Sequence, residues 1–308
     1  MRILSLTLIA LLASLSGVAA QMTVEVLVDQ TQFLRDEAVR VKVRVTNRSG
    51  QTLRLGDDAE WLSFSVEGVE GARAVQLSEP PVAGAFTLES SRMATRTVNL
   101  APHFDLSQPG RYAVTATVRV KEWNEELASR PQPIDIVRGL KVWEQEFGVP
   151  SAGGSPELRK YSLQQASFLK QLQLYVRVSE ADDARVLRVF AVGSLVSFSA
   201  PEAQVDRQSQ LHVLFQTGAR AFSYNVVTPD AEVVVRQTHE YAGSRPRLSK
   251  GEEGRISVTG GVRRFTASDL PPTEVAGASF TNSPAAPEPS PAPPLDKKKK
   301  KDAKARQK

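Results

Sequence analysis

The alternation of apolar and polar residues is clearest between Val205 and Val258, and this segment organises the second half of the chain. A period of two is typical of a strand, and three strands are predicted: Leu211–Gln216, Phe222–Val226 and Glu232–Gln237. Thr217-Gly218 separates the first two, and Thr228–Ala231 contains a proline suited to the second position of a type I turn. Three strands joined by two tight turns predict an antiparallel meander.

The first half of the chain shows the same period in shorter segments. The four valines of Val39–Val45 alternate with Arg or Lys, which predicts a strand with one buried and one solvated face. Further strands are predicted at Thr23–Val28, Leu53–Leu55, Trp61–Val66, Val98–Leu100, Tyr112–Val120 and Ile134–Val142. Short strands separated by turns at this spacing indicate a β-sandwich.

One short motif in this half resembles a known architecture. Tyr112 opens a strand directly after the Pro109-Gly110 turn, and this is similar to the tyrosine corner of immunoglobulin-like and fibronectin III-like sandwiches. The resemblance covers residues 21–147. It implies structural roles for Gly110 and Tyr112, with the Tyr112 hydroxyl bonded to upstream backbone, and it places the Val39–Val45 and Tyr112–Val120 strands in separate sheets. Such sandwiches serve many functions, so the fold does not choose one.

Residues 157–174 fit two interpretations. Ser155-Pro156 suits the start of a helix, and one helical face would carry Leu158, Tyr161, Phe168 and Leu172. Two strands over Tyr161–Leu174 fit about as well, so both remain open.

Three segments of the second half share one pattern at spacings of 37 and 45 residues: Gln173–Val176, Gln210–Val213 and Arg255–Val258. They resemble blades of a β-propeller, whose repeats run to ~40–50 residues. Residues 157–270 are too few for the roughly four to eight blades of a propeller. The alternatives are a plain meander sheet or sandwich, and a ring completed by several copies of the chain.

The two ends of the chain differ from its body. Arg2, the apolar run Ile3–Leu15 and the small residues Val18-Ala19-Ala20 predict a signal peptide cleaved after Ala20, the alternative being an uncleaved anchor. Residues 282–296 contain six prolines, and a lysine-rich end follows. The predicted organisation is a signal peptide (1–20), an immunoglobulin-like sandwich (21–147), a linker (148–156), an antiparallel β domain (157–270), and a disordered Pro/Ala-rich linker with a polybasic tail (271–308).

Composition narrows the classes of function. The chain has no cysteine, so disulfides, thiolate metal sites and thiol catalysis are excluded. Export without disulfides favours a bacterial envelope, that is, the periplasm or outer envelope. Residues 297–308 carry eight Lys or Arg and one Asp, a net +7; subtracting this and Arg2 from the overall +5 leaves −3 for residues 21–296. An acidic body with a basic tail does not predict sequence-specific nucleic-acid binding.

Candidate chemistry in the sequence is sparse. The three histidines, His103, His212 and His239, lack the spacing of a zinc site and are predicted to be surface or packed residues. An acidic turn (Asp57, Asp58, Glu60) lacks the spacing and glycine of an EF-hand. Arg263-Arg264 suits an anionic ligand or, more simply, a charged strand end. No catalytic, cofactor-binding or metal-binding residue is predicted, and no cofactor.

The sequence therefore favours an exported, non-catalytic binding or structural protein. Its cationic tail is expected to tether it to an anionic polymer or membrane surface, through the residues Lys297, Lys298, Lys299, Lys300, Lys301, Lys304, Arg306 and Lys308. Two alternatives are an adaptor or accessory subunit of an envelope complex, with a protein partner or a homo-oligomer, and an enzyme whose active site the sequence does not reveal.

Overall fold

The computed structural model describes residues 22–82, 84–150 and 157–271, and within these ranges the chain is nearly all β, with one short 3-10 turn and no α-helix. The first region holds β1 (Met22–Val28), β2 (Gln32–Leu34), β3 (Arg40–Asn47), β4 (Leu53–Leu55), β5 (Leu62–Val69), β6 (Val75–Gln76), β7 (Phe86–Leu88), β8 (Met93–Asn99), β9 (Phe104–Asp105), β10 (Gly110–Val120), β11 (Glu125–Ala128) and β12 (Gln132–Val137). The second region holds β13 (Leu140–Val149), β14 (Glu157–Phe168), β15 (Gln171–Glu180), β16 (Val186–Leu195), β17 (Glu202–Val205), β18 (Leu211–Gln216), β19 (Ala221–Val227), β20 (Val233–Glu240), β21 (Arg247–Lys250), β22 (Ile256–Thr259) and β23 (Val262–Arg264). The described part of the chain has no helix of the length and apolarity that crossing a membrane requires.

Two sheets enclose the core of the first region. One has the order β1-β3-β8, and the other has the order β11-β10-β12-β2 with β5 on the remaining edge of β10. The valines of β3 and the apolar residues at every second position of β10, from Tyr112 to Val120, are buried in one shared cluster. The prediction that the Val39–Val45 and Tyr112–Val120 strands lie in separate sheets with their apolar faces inward is therefore confirmed.

The turn before β10 is built around two residues that the sequence singled out. The Tyr112 hydroxyl donates to the Gln108 carbonyl oxygen at 2.6 Å, and the ring is fully buried. A Cβ at Gly110 would lie 2.8 Å from the Cβ of Ala72, so only glycine allows this close approach. Both residues thus fix the entry of β10 into its sheet.

The second region also places two sheets over one core. Sheet β13-β14-β15-β16 packs on sheet β17-β18-β19-β20-β23, and both contribute to a cluster that includes Tyr161, Leu174, Val176, Leu211 and Phe215. β18, β19 and β20 are consecutive antiparallel neighbours, which confirms the predicted meander. Residues 157–174 form β14 and the start of β15, so the strand interpretation holds and the helix does not.

The repeated segments occupy different positions in the sheets. Leu174 lies in β15, Leu211 begins β18, and Ile256 begins β22 of a separate two-stranded sheet with β21. Leu174 and Leu211 share one core, whereas Ile256 belongs to another. The described residues therefore form the plain meander and sandwich alternative rather than equivalent blades.

The chain passes from one region to the other at Gly139. The sequence predicted one strand over Ile134–Val142 and assigned residues up to 147 to the first sandwich, but β13 pairs with β14 over Leu140–Val149. A Cβ at Gly139 would lie 2.8 Å from Leu34 Cδ2 and 2.7 Å from Gln164 Oε1. A glycine lets the chain cross here between side chains of both regions, at the point where the predicted strand divides into β12 and β13.

A small core and an ion pair hold the two regions together. Leu34 of β2 is buried against Ala166, Tyr175 and Val189 of the second region. Beside it, the Arg177 guanidinium pairs across the junction with Asp36 and, within the second region, with Asp183 at 3.4 Å. Burial raises the pKa of Glu37, although its carboxylate accepts hydrogen bonds from the Leu34 amide (2.8 Å) and the Gln30 side chain (2.9 Å).

Candidate functional site

The richest group of polar side chains lies on the second face of the β17–β20 sheet. Leu211, Val213 and Phe215 point into the shared core, so His212 and Leu214 must face the other way. The β21–β22 hairpin covers this second face with Leu248 and Ile256, and all six residues of β18 are consequently buried. Polar groups on this face are therefore removed from water and need partners within the protein.

A hydrogen-bonded chain connects Asp206, His212 and Tyr224. Asp206 lies in the turn after β17, where its Oδ1 accepts the amides of Gln208 (2.9 Å) and Gln210 (2.8 Å). Its Oδ2 lies 2.9 Å from His212 Nε2, and His212 Nδ1 lies 2.7 Å from the Tyr224 hydroxyl. Since the carboxylate accepts, a neutral His212 carries its proton on Nε2 and accepts the phenol proton at Nδ1.

The environment of Tyr224 shows what this chain can do chemically. Burial, together with the charge of Asp206, raises the pKa of Tyr224 to about 12. The phenol therefore stays protonated at neutral pH, and its hydroxyl is committed to His212. A carboxylate, an imidazole and a hydroxyl in a row is also the sequence of groups in an acid–base relay. Here, however, the hydroxyl is a protonated phenol buried beneath a hairpin. The network therefore suits a role in stabilising the fold more than an attack on a substrate.

His239 extends the cluster towards the edge of the sheet. Its ring meets the edge of the Tyr224 ring at a centroid distance of 6.2 Å, and its cross-strand neighbour is Arg263. Within the described part of the chain its Nε2 is buried without a hydrogen-bond partner. Burial, and then the Arg263 charge, lower the pKa of His239, while the buried Asp269 carboxylate acts in the opposite direction.

This shift gives the stability a pH dependence of known sign. The unfolded chain takes up a proton near pH 6.5, the ordinary pKa of histidine, whereas folded His239 resists protonation until lower pH. The unfolded state then binds more protons, so His239 reduces the free energy of unfolding as the pH falls through and below 6.5. We expect His239→Gln to lose less stability between pH 7 and pH 5 than the unsubstituted protein, measured by urea denaturation at each pH.

His103→Gln is the matched control, because His103 lies in the first region with its Nδ1 2.8 Å from the Ser78 hydroxyl. This control tests whether removing any imidazole reduces the loss of stability between pH 7 and pH 5. Equal pH dependence in the unsubstituted protein and in His239→Gln would contradict the assignment.

The acidic turn and the paired arginines that the sequence singled out form ion pairs. Asp57 pairs with Arg54 at 2.9 Å, Asp58 with Lys121 at 2.7 Å, and Glu60 with Arg119 at 3.3 Å. Arg263 contacts Asp269 at 3.4 Å and Arg264 contacts Glu240 at 3.4 Å. Each of these charges thus has a partner inside the protein. No group of three or more acidic or histidine side chains with metal-binding geometry occurs in residues 22–82, 84–150 and 157–271.

The remaining predicted residues fall into two sets. Trp61 is buried in the first core, with its indole N–H donating to the Val82 carbonyl at 2.8 Å, and Trp143 packs on the second core from β13. The signal cleavage position after Ala20 and the eight basic tail residues lie outside the described residues.

A second candidate is a groove along the edge of the first region. A depression of about 640 Å³ runs between edge strand β1 and the segment from Leu127 to Gln132. β1 pairs with β3 without a register shift over Met22–Val28 and carries one charged residue, Glu25. A regular strand edge with few charges is open to pairing with another extended segment.

Comparison with known proteins adds little to this picture. No family model matches the sequence, and no curated protein matches it. Among solved structures, the crystal structure of the sporulation control protein Spo0M from Bacillus subtilis aligns with a TM-score of 0.29 and 8% identity, covering 56% of this chain and 91% of that one. A TM-score this low does not indicate a common fold. The class that the structure itself defines is an all-β protein of antiparallel sheets arranged in two regions.

Proposed function

We propose that this chain is an exported, non-catalytic binding or structural protein of a bacterial cell envelope. Its first region, with the bonded Tyr112 and two sheets around one core, supports an immunoglobulin-like sandwich. The second region is joined to it by the Leu34 core and the Arg177–Asp36 ion pair. This architecture suits a rigid body that presents surfaces, and the buried Asp206–His212–Tyr224 network suits a role in holding the second region together.

The observation that carries the proposal is the separation of charge along the sequence. The body is mildly acidic, and all the excess positive charge is in residues 297–308. A cluster of this size next to an anionic surface contributes about 1 kcal/mol per Lys or Arg at most, and the attraction falls off over ~8 Å at physiological salt. The tail thereby holds the acidic body at an anionic polymer or membrane surface without recognising a sequence.

A salt titration tests this attachment. We expect residues 21–308 to bind native envelope material and a generic polyanion at low salt, and to lose most of that binding as salt rises. We expect the truncated protein 21–296 to bind weakly at every salt concentration. If both proteins bind alike and with little salt dependence, the tail is not the attachment point.

A specific observation favours a second candidate, the adaptor or accessory subunit. The groove beside β1, about 640 Å³ in volume, is bordered by a strand at the edge of its sheet, which is the feature that an extended segment of a partner protein pairs with. Salt-insensitive binding that survives removal of the tail is the outcome that supports this candidate, since the partner would then contact the β regions.

A further inference from the structure

One end of the second region combines exposed apolar side chains with basic ones. We call it the apolar–basic end and define it by seven residues: Leu169, Lys170, Phe198, Arg220, Tyr241, Arg245 and Val262. The exposed fractions of the apolar members are 78% for Leu169, 79% for Phe198, 58% for Val262 and 41% for Tyr241. Large apolar side chains exposed together and bordered by polar groups indicate an interaction surface.

The topology brings these residues to one end of both sheets. Phe168 pairs with Gln171, so Leu169 and Lys170 form the tip of the β14–β15 hairpin, and the neighbouring Leu172 pairs with Leu195. The loop after Leu195, which carries Phe198, is fixed by a bond from the Val196 amide to the Gln216 carbonyl.

The opposite sheet contributes the rest of this end. The β18–β19 turn follows Gln216 and contains Arg220, whose carbonyl accepts the Tyr241 amide at 2.8 Å. Glu240 then pairs with Val262. Four separate turns or loops therefore present their side chains at the same end.

The charge at this end is positive. Lys170, Arg220 and Arg245 form no ion pair with any described residue, whereas the two nearby carboxylates are already paired: Glu240 with Arg264 at 3.4 Å and Glu202 with Arg247 at 3.6 Å. A depression of about 560 Å³ lies beside the hairpin tip, and the residues that line it include Lys170 and four hydroxyl-bearing residues, Ser167, Ser194, Ser197 and Thr217. Cations and hydroxyls between apolar tips suit phosphate groups.

The hairpin tip itself is unfavourable as a turn. Leu169 and Lys170 have φ values of 47° and 64°, and a two-residue turn with both φ values positive strongly favours Asn-Gly. A bulky leucine there is a conformational outlier. The geometry of the turn does not explain why leucine and lysine occupy these two positions. This points to a role for their side chains.

We propose that the apolar–basic end docks on an anionic phospholipid surface, with Leu169 and Phe198 entering the interfacial layer and Lys170 and Arg220 meeting lipid phosphates. The side chains project from separate tips around a polar depression, which fits a layer of apolar tails beneath charged headgroups better than a flat protein surface. This inference rests on the proposed function, because it names the surface to which the tail tethers the body.

Vesicle binding of the mature chain, residues 21–308, tests the inference. The probes are vesicles of phosphatidylcholine and phosphatidylglycerol at 7:3 and vesicles of phosphatidylcholine alone, with partition measured by co-sedimentation. Phe198→Ser removes one tip, and Leu169→Asn with Lys170→Gly removes the other while supplying a turn sequence that suits the backbone. Leu158→Ser is the matched control, because Leu158 is 59% exposed at the opposite end of β14.

We expect stronger partition to the anionic vesicles, about a tenfold weaker partition for each tip variant, and no change for Leu158→Ser. Tip variants that bind as well as the unsubstituted protein overturn the inference, as does an equal loss in Leu158→Ser. A concentration-dependent dimer that only the tip variants abolish, with lipid binding unchanged, would show a self-association surface instead.

The tail and the tip are distinguished by the truncated protein 21–296 in the same assay. If truncation abolishes binding and the tip variants do not weaken it, the inference fails and the proposed tethering stands. If the tip variants weaken binding and truncation does not, the tip contact stands and the tethering fails.

Discussion

Phe215→Ala is expected to lower the free energy of unfolding by about 3–5 kcal/mol. Phe215 is 1% exposed and lies in the core shared by the two sheets of the second region. Its ring occupies the space above Gly193, where an added Cβ would lie 3.3 Å from Phe215 Cζ. Alanine would leave a cavity that neither sheet closes without moving its strands. Urea denaturation followed by far-UV circular dichroism measures the change.

Phe198→Ala is the matched control for this prediction, since it removes the same side chain from an exposed position. We expect a change of no more than about 0.5 kcal/mol. If Phe215→Ala unfolds at the urea midpoint of the unsubstituted protein, the two sheets do not share the core described above. The control also shows whether substitution at the tip leaves the fold intact, which the vesicle experiments require.

Local alternation was enough to predict the meander, because each strand from Leu211 to Glu240 pairs with its neighbour in sequence. It was not enough at Gly139. The apolar pattern over Ile134–Val142 continues across that glycine, whereas the side chains that leave no room for a Cβ there, Leu34 and Gln164, are more than twenty residues away in the sequence. Contacts between residues so far apart in the sequence do not alter the local alternation of apolar and polar residues, so the alternation cannot reveal them.

The candidate site was missed for a similar reason. Asp206, His212 and Tyr224 lie in a turn and two strands, and no fixed spacing links them. A signal was present in β18, where Leu214 is apolar at a position that alternation assigned to solvent; in β19, the apolar Phe222 and Val226 pair with Gln216 and His212 on that same face. Apolar residues on both faces indicate a sheet covered on both sides. The β21–β22 hairpin provides that second cover, and His212 is buried as a consequence.

Leu34→Ala is expected to cost about 2–5 kcal/mol and to weaken the coupling between the two regions. Leu34 belongs to β2 of the first region, yet it is 1% exposed because Ala166, Tyr175 and Val189 of the second region enclose it. The ion pair that crosses the junction, Arg177 with Asp36, joins side chains that are 15% and 27% exposed, and it contributes about 1 kcal/mol. The apolar contact therefore dominates the junction.

Tryptophan fluorescence can follow the regions separately. Trp61 and Trp123 report on the first core and Trp143 on the second, so Trp143→Phe leaves reporters in the first region alone. The Trp143→Phe protein should give the same urea midpoint by fluorescence and by circular dichroism. Adding Leu34→Ala should give different midpoints by the two methods. Leu77→Ala, at a 63% exposed position of the first region, should leave them coincident. Coincident transitions in Leu34→Ala, with an unchanged midpoint, would show that the regions are coupled by something other than this side chain.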